Sequence, residues 1–422
     1  MSGVGPPQGA NRSPSGGSAA AVAASVGAHT SVAPEFDVLI AGGGLVGLAL
    51  APALANAGLR VALADRASVA VPEPVPEKQW DTRVYAVSPG SVTFLESIGA
   101  WRALPAERLA AIETMHVVGD DDAVLDFSAY ELAERALAWI VEERTLRAAL
   151  VPLVQTAGVA VLAPRNFESL AWSPAAGELR FDDGTSASAR LIVAADGVHS
   201  WVREAAGLSA VPKPYGQTAI VANFACERAH HGRAYQWFRR DGGILAWLPL
   251  PGRRISIVWS APEDEARALL ALEATELAAR VADAGAHALG AFESITSPAA
   301  FPLQFLKLPH VVAHRLALVG DAAHGVHPLA GQGVNLGFGD ADALAAVLRE
   351  RGPVTDPGAP LLLERYARRR ALPVRAMQTV TDGLAYLFRI DARWARSARN
   401  LGMAAVGAIP PARRLLAQSA LR

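Results

Sequence analysis

Three segments of the chain share one pattern: a short apolar run ends at glycine or aspartate, and a segment with helical spacing follows. The apolar runs lie at 36–41, 190–195 and 315–320. Continuous apolar runs are typical of strands buried on both faces of a parallel sheet. Ligands bind beyond the carboxyl ends of such strands. The pattern therefore predicts an α/β fold in which three strand ends, far apart in sequence, border one crevice.

The first unit contains Gly42-x-Gly44-x-x-Gly47, which lies between the first apolar run and a predicted helix at 45–57. A second predicted strand, 59–64, ends at Asp65. This spacing is typical of dinucleotide-binding folds, in which glycines approach a pyrophosphate and the acid accepts hydrogen bonds from a ribose. The unit therefore predicts a site for an adenosine moiety, such as that of FAD or NAD.

The third unit continues into a glycine-rich loop that runs from His327 to Asp340 and contains Pro328, Gly331 and Gly333. Beyond these turn residues, 334–349 has the composition and spacing of a helix. Backbone N–H groups and the positive end of the helix dipole would meet at this loop. They favour a ligand that carries or develops negative charge, such as a phosphate or the N1–C2=O edge of a reduced flavin.

The middle of the chain has a different pattern, rich in aromatic and β-branched residues. Segments 215–224, 234–238, 244–250 and 254–260 predict antiparallel strands, and 264–292 predicts a helical insertion. A wall for an aromatic substrate is expected on this sheet. Its candidate residues are Tyr215, Trp237, Phe238, Trp247 and Trp259.

Composition narrows the class of protein. The net charge of −1 gives no reason to expect nucleic acid as a partner, and a single cysteine, Cys226, suits a reducing cytoplasm. Residues 375–422 contain eight Arg and two Asp, a net charge of +6. This basic end suits an anionic membrane surface or a partner subunit, and a solvated face on a packed helix is the alternative. We expect a cytoplasmic protein, peripheral to the membrane in the first of these cases.

These features resemble a known family. The three units resemble the fingerprints of the flavoprotein monooxygenases of the p-hydroxybenzoate hydroxylase fold, and the loop from His327 to Asp340 resembles the signature of the ubiquinone-biosynthesis hydroxylases within that group. The resemblance covers about 36–390 and includes the runs 81–88 and 94–101. It implies a Rossmann-like FAD-binding domain, an inserted antiparallel-sheet substrate domain and a C-terminal helical segment.

The implied organisation is discontinuous. We expect the FAD-binding domain at 36–105, 142–212 and 303–360, and the substrate domain at 106–141 and 213–302. Residues 1–35 predict a disordered extension because they are rich in Gly, Ala, Ser and Pro and almost free of charge. The C-terminal helices occupy 361–422.

The resemblance also implies roles for individual residues near FAD. Gly42, Gly44 and Gly47 would pack against the pyrophosphate, with Asp65 on the adenosine ribose and Arg83 beside the flavin and its phosphates. The pair Asp196 and Gly197 belongs to a motif associated with both FAD and NAD(P)H. Gly320 and Asp321 would hold the ribityl chain.

The loop and the following helix would border the isoalloxazine ring. The residues concerned are Pro328, Gly331, Gln332, Gly333, Val334 and Asn335, of which we expect Pro328, Gly331, Gln332 and Gly333 to serve catalysis. One departure from the family pattern occurs where Asn, Gln or Arg is expected at the start of the helix 143–150. The chain has Glu143 followed by Arg144, so we assign the flavin contact there to Arg144.

The activity implied is hydroxylation of a polyprenylated phenol in ubiquinone biosynthesis. In this family NAD(P)H reduces FAD, O2 adds at flavin C4a to give a hydroperoxide, and its distal oxygen attacks an electron-rich ring. The flavin supplies the chemistry while the protein orients the reactants and excludes water. We expect no metal, because no cysteine cluster or second histidine pair accompanies His324 and His327.

Two alternatives stay open. A related hydroxylase of a soluble aromatic acid would need a pocket with an arginine for the carboxylate. A flavin-binding scaffold in a quinone-synthesis complex would bind FAD without turnover. Flavin absorption without substrate-dependent oxidation of NAD(P)H would distinguish the scaffold from both enzymes.

Overall fold

An eight-stranded sheet and a nine-stranded sheet dominate the described part of the molecule. The structure is a computed structural model, which describes residues 33–73, 76, 79–119, 123–208, 210–239, 241–326, 332–390, 399–400 and 402–403. The extension predicted for 1–35 lies almost wholly outside these residues.

The strands are β1 (Phe36–Ala41), β2 (Val61–Ala64), β3 (Val84–Val87), β4 (Ala110–Ile112), β5 (Thr114–Val118), β6 (Val124–Ser128), β7 (Ala138–Glu142), β8 (Ala160–Leu162), β9 (Phe167–Trp172), β10 (Gly177–Phe181), β11 (Ser186–Ala194), β12 (Lys213–Cys226), β13 (Arg233–Phe238), β14 (Ile244–Leu250), β15 (Arg254–Pro262), β16 (Phe292–Ser294), β17 (Ala299–Lys307), β18 (Val312–Ala313), β19 (Leu316–Leu318) and β20 (His324–Gly325). The α-helices are α1 (Leu45–Ala55), α2 (Pro89–Ser97), α3 (Glu143–Thr156), α4 (Trp201–Ala205), α5 (Glu263–Leu270), α6 (Ala274–Ala284), α7 (Gln332–Arg349) and α8 (Pro360–Arg389).

The first sheet brings the predicted strand ends together. Its central order is β19-β11-β1-β2-β8, and each neighbouring pair is parallel. Ala41 aligns with Ala64 on one side and with Ala194 on the other, and Ala194 aligns with Leu318. The strands are apolar throughout because helices α1, α3 and α7 cover one face and β9, β10 and α4 pack on the other. The predicted convergence of strand ends is confirmed.

The second sheet is antiparallel through β12, β15, β14 and β13, as the middle of the chain predicts. Its side chains alternate between two buried faces. Leu245 and Trp247 pack beneath α5 and α6, while Ala246 and Leu248 point the other way, toward the three-stranded sheet β3-β7-β4. The predicted helical insertion therefore covers one face of this sheet.

This covering corrects the predicted aromatic wall. Trp247 and Trp259 are fully buried beneath α5 and α6, and Trp237 packs against the same cluster. Phe238 lies in a separate cluster with Leu384 of α8. These rings stabilise the core, because they alternate onto faces that other elements cover. Tyr215 lies on the opposite face, with Ala219 and Leu303.

Helix α8 joins the two sheets. The Tyr366 hydroxyl donates to the Leu318 carbonyl at 2.7 Å, and Gln378 Nε2 donates to the Leu306 carbonyl at 2.9 Å. Residues Pro34–Arg422 form one compact unit, and the division into two domains stays a prediction. Among the described helices, none is both long enough and apolar enough to cross a membrane.

Candidate active site

The glycine-rich turn after β1 is closely packed at two positions and open at a third. Gly42 has φ +118°, and a Cβ there would overlap the carbonyl of Ala195. A Cβ on Gly47 would overlap the Gly42 carbonyl, so α1 can approach the turn only because residue 47 is glycine. A Cβ on Gly44 would meet nothing within 4 Å. The start of α1, which has no acidic residue in its first turn, therefore faces open space suited to a phosphate.

Asp65, which follows the end of β2, stabilises this turn through hydrogen bonds. Its carboxylate accepts hydrogen bonds from the N–H groups of Gly43 and Ala67. A cavity of about 240 Å³ opens beside it. The lining residues are Gly42, Gly44, Asp65, Arg66, Phe167, Ala195, Asp196 and Gly197. Gly42, Gly44 and Asp65, which were predicted to contact the pyrophosphate and the ribose, therefore share one cavity with Asp196 and Gly197 of the second unit.

Asp196 presents an unsatisfied acceptor at this cavity. Its Oδ2 accepts from the Val202 N–H at 3.1 Å, whereas its Oδ1 is buried and has no partner among the described residues. Burial raises the pKa of Asp196 despite hydrogen bonds from Ser200 and Val202. Gly197 has φ +87° and open space where a Cβ would stand. A buried oxygen without a donor beside an open cavity fits a ligand hydroxyl.

Arg203 links the second unit to the third. It is fully buried, and its guanidinium donates to the Val198 carbonyl at 2.9 Å and to the Ala322 carbonyl at 3.0 Å. The Ser200 hydroxyl accepts from the Arg203 N–H at 3.0 Å. One side chain thus holds two strand-end turns at a fixed separation.

The turn at Gly320 and Asp321 is held by Asp340 of α7. The Gly320 N–H donates to Asp340 Oδ2 at 2.8 Å, and His324 Nε2 lies 2.6 Å from the same oxygen. Arg370 Nε of α8 donates to Asp340 Oδ1 at 2.6 Å. His324 and Asp340 are almost completely buried, so their charges depend on each other.

Burial and pairing act against each other in this network. Burial alone would raise the pKa of Asp340, but His324 and Arg370 outweigh it and hold that pKa below its ordinary value. Burial alone would lower the pKa of His324, but the Asp340 carboxylate raises it above its ordinary value. The Asp340 carboxylate therefore favours the protonated form of His324. In the described part of the chain, no three His, Cys, Asp or Glu side chains form a group that could hold a metal.

Asp321 follows β19 at the third strand end. Its side chain is exposed to solvent on one side, and protein surrounds it on its other sides. This desolvation raises the pKa of Asp321, and the nearby His324 and Arg83 oppose the rise. An accessible carboxylate at the third strand end fits the predicted contact with ribityl hydroxyls.

Arg83 stands where the crevice meets the second sheet. Its Nη1 lies 3.0 Å from Glu143 Oε2, and its guanidinium lies 4.8 Å from the centre of the Phe301 ring on β17. The Tyr85 hydroxyl donates to the same Glu143 oxygen at 3.3 Å. Burial and the Glu143 charge raise the pKa of Tyr85 far above its ordinary value. Glu143, which departs from the family pattern, thus pairs with the predicted cofactor arginine.

Helix α3 contributes an arginine that the sequence did not reveal. Arg144 is exposed, and its backbone N–H donates to Asp81 Oδ2 at 3.1 Å. Arg147, one turn after Glu143, is half-buried and donates from Nη1 to the Gly43 carbonyl at 2.9 Å. The only available signal was its place on the same helix, since no motif includes it.

The start of α7 is anchored by Asn335. Its Oδ1 accepts from the Ser88 N–H at 2.9 Å and the Ser91 hydroxyl at 2.8 Å, and its Nδ2 donates to the Ala86 carbonyl at 2.8 Å. The side chain predicted to border the flavin is therefore engaged with β3 and α2.

The other predicted flavin-side residues lie around this anchor. Gln332 begins α7, and Val334 packs at the edge of the core. A Cβ on Gly333 would meet no atom within 4 Å. His327, Pro328 and Gly331 lie outside the described residues.

Comparisons with known proteins identify the family. A family model described as an FAD binding domain matches residues 35–381. Ubiquinone hydroxylase UbiL of Rhodospirillum rubrum is 37% identical over 387 residues, which cover 91% of this chain and 89% of that protein. The 3-demethoxyubiquinol 3-hydroxylase of Escherichia coli is 34% identical over 374 residues, 87% of this chain and 94% of that protein.

A solved structure shows the same fold. Pseudomonas aeruginosa PqsL in complex with 2-aminobenzoylacetate aligns with a TM-score of 0.72 at 26% identity, over 85% of this chain and 98% of that one. Fold and site together define an FAD-dependent monooxygenase. The chain belongs to the family of FAD-dependent monooxygenases that includes the ubiquinone hydroxylases.

Proposed function

We propose that the protein hydroxylates the ring of a polyprenylated phenol in ubiquinone biosynthesis, with O2 and NAD(P)H as co-substrates. The names of the relatives from Rhodospirillum rubrum and Escherichia coli support this substrate class. When bound, FAD supplies electron transfer from NAD(P)H and the activation of O2. The residues of this chain bind and orient the reactants.

The observation that carries the proposal is that one face of the second sheet buries no cationic side chain. Phe301, which lies beneath Arg83, pairs with Ala219 on β12, and Ala219 pairs with Ser260 on β15. The face therefore extends across the strands of the sheet from the position of Arg83. On strands β12 to β15 and β17, the buried residues of this face include no Lys, Arg or His. Its members include Tyr215, Gln217, Ala219, Gln236, Ala246, Ser260 and Leu303.

This face favours a neutral ring over an aromatic acid. A buried carboxylate without a cationic partner loses its hydration at a large cost. A neutral phenol with an apolar prenyl tail has no charged group whose hydration would be lost. The amides and hydroxyls of the face can form hydrogen bonds with the ring substituents. The alternative substrate, a soluble aromatic acid, would lack a buried partner on these strands.

The cofactor end of the site supports the same chemistry. Three carboxylates, Asp65, Asp196 and Asp321, stand at strand ends where ribose and ribityl hydroxyls would be recognised. The N-terminus of α7 carries no acidic residue in its first turn. Its dipole would stabilise negative charge on a reduced flavin beside it.

We further propose contact with an anionic membrane surface. On α8, Leu372, Val380 and Tyr386 are exposed, and residues 375–422 carry a net charge of +6. Apolar and basic residues together favour the interface of an anionic bilayer, where a polyprenylated substrate resides.

Wild-type protein should sediment with phosphatidylglycerol vesicles, and the double variant Leu372→Glu with Tyr386→Glu should sediment with them to a smaller extent. Equal sedimentation of both proteins would contradict the contact.

Deletion of the gene tests the proposed substrate class. Mass spectrometry of the lipid extract should show a prenylated phenol that lacks one hydroxyl group, and a plasmid copy of the gene should remove it. An unchanged quinone profile would contradict the proposal. Purified protein with flavin absorption but no phenol-dependent oxidation of NAD(P)H would favour the scaffold alternative.

A further inference from the structure

We infer that Arg147 supplies the positive charge opposite the FAD pyrophosphate, and that Glu143 withdraws Arg83 from this role. The inference rests on FAD binding, which is part of the proposed function. It concerns a residue for which neither the sequence motifs nor the comparisons give a role.

The position of Arg147 follows from helix packing. Helix α3 packs against α1, and Arg147 lies one turn into α3. Helical side chains lean toward the N-terminus of their helix, here toward the strand-end side, and Arg147 Nη1 donates to the Gly43 carbonyl at 2.9 Å. The other side of Gly43 is fixed, because its N–H donates to Asp65. The guanidinium is therefore held against the turn that opens to phosphate at Gly44.

The charges around the crevice make this position important. Two carboxylates, Asp65 and Asp196, line the cavity, and a pyrophosphate adds two further negative charges. Arg83 is already paired with Glu143, and Arg83 Nη1 lies 3.0 Å from Glu143 Oε2. Arg147 forms no ion pair with any carboxylate in the described part of the chain. Its charge is thus available to the ligand, while Arg66 is exposed beside Asp65, at the ribose end of the cavity.

A charge-selective substitution separates binding from packing. Arg147→Gln keeps an amide donor for the Gly43 carbonyl but removes the charge. We expect it to weaken binding of FAD and of ADP to the apoprotein at least about tenfold, because hydrogen bonds to charged groups are the stronger ones. Adenosine, which lacks phosphate, should bind both proteins alike. Arg147→Lys should recover part of the affinity. The matched control is Arg102→Gln, at an exposed arginine that does not line the cavity.

The titrations give distinct outcomes. Fluorescence quenching measures FAD, and calorimetry measures ADP and adenosine, with the melting temperature as a check on folding. Unchanged ADP affinity in Arg147→Gln, or an equal loss for adenosine, would overturn the inference. An equal loss in Arg102→Gln would do the same. If the wild-type protein bound neither FAD nor ADP, both this inference and the proposed function would be contradicted. If the wild-type protein bound them and Arg147→Gln bound them equally well, only this inference would be overturned.

Glu143 provides a second, independent readout. Glu143→Gln should release Arg83 toward the cofactor and tighten FAD binding several-fold, since it also removes a negative charge near the pyrophosphate. The double variant with Arg147→Gln should regain part of the lost affinity. If the double variant binds FAD no better than Arg147→Gln, the assignment of Glu143 to Arg83 is overturned.

Discussion

The backbone N–H of Gly320 donates a 2.8 Å hydrogen bond to the side chain of Asp340, so a helix residue fixes the turn that presents Asp321. The same carboxylate binds His324 and Arg370, which lie on different elements. Because all of these groups are buried or nearly so, the turn cannot shift without breaking charged contacts. The cofactor crevice therefore depends on a network that lies behind it.

Asp340→Asn should weaken both the fold and FAD binding. The substitution leaves the buried side chains of His324 and Arg370 without their charged partner, which costs about 3–5 kcal/mol of unfolding free energy. Asp342→Asn, an exposed position on the same helix, is the control. Thermal melts and FAD titrations of the two variants measure the effect. If Asp340→Asn behaved like Asp342→Asn, the structural role assigned to the network would be wrong.

The contribution of His324 to stability should depend on pH. Because its folded-state pKa is raised, its contribution is complete below the unfolded value of about 6.5 and is lost as pH rises through the folded value. The difference in unfolding free energy between wild type and His324→Gln should therefore be larger at about pH 5.5 than at about pH 9. Urea denaturation at both pH values checks this. A constant difference would mean that His324 is not protonated in the folded protein.

Two glycines in the same turn should respond differently to alanine. Gly47→Ala places a methyl group on the Gly42 carbonyl, so we expect a lower melting temperature even without cofactor. Gly44→Ala meets no protein atom, so the melting temperature of the apoprotein should be unchanged while FAD affinity falls at least about tenfold. Full FAD affinity in Gly44→Ala would show that the ligand does not approach this position.

Arg203→Met should loosen the crevice between its second and third strand ends. It leaves the carbonyls of Val198 and Ala322 unpaired, at a cost of about 1–3 kcal/mol each. We expect a lower melting temperature and weaker FAD binding, measured against the exposed neighbour Glu204→Gln. An Arg203→Met protein with unchanged FAD affinity would indicate that the spacing of these turns does not matter for the cofactor.

Sequence patterns revealed the parts of the fold that depend on local order. The strand predicted at 36–41 has those bounds in the structure, and the helix predicted at 334–349 begins at Gln332. Apolar runs and glycine spacing carry this information because strands and turns form from neighbouring residues. The strand ends converge as predicted because their order in parallel sheets follows general rules.

Contacts between residues far apart in the sequence could not be predicted from sequence patterns. Asp340 and Arg370 are paired by the packing of α7 on α8, and Arg147 reaches Gly43 across more than a hundred residues. The assignment of Trp237, Trp247 and Trp259 to a substrate wall was wrong for a related reason. Both faces of the second sheet are buried, so alternation alone could not reveal that α5 and α6 cover Trp247 and Trp259.

Isotope labelling tests the central claim most directly. The phenol that accumulates in the deletion strain is incubated with purified holoprotein, NAD(P)H and ¹⁸O2, and the product is analysed by mass spectrometry. Hydroxylation by an FAD-dependent monooxygenase predicts a product with one ¹⁸O atom on the aromatic ring. A product without label, or oxidation of NAD(P)H with no hydroxylated product, would contradict the account.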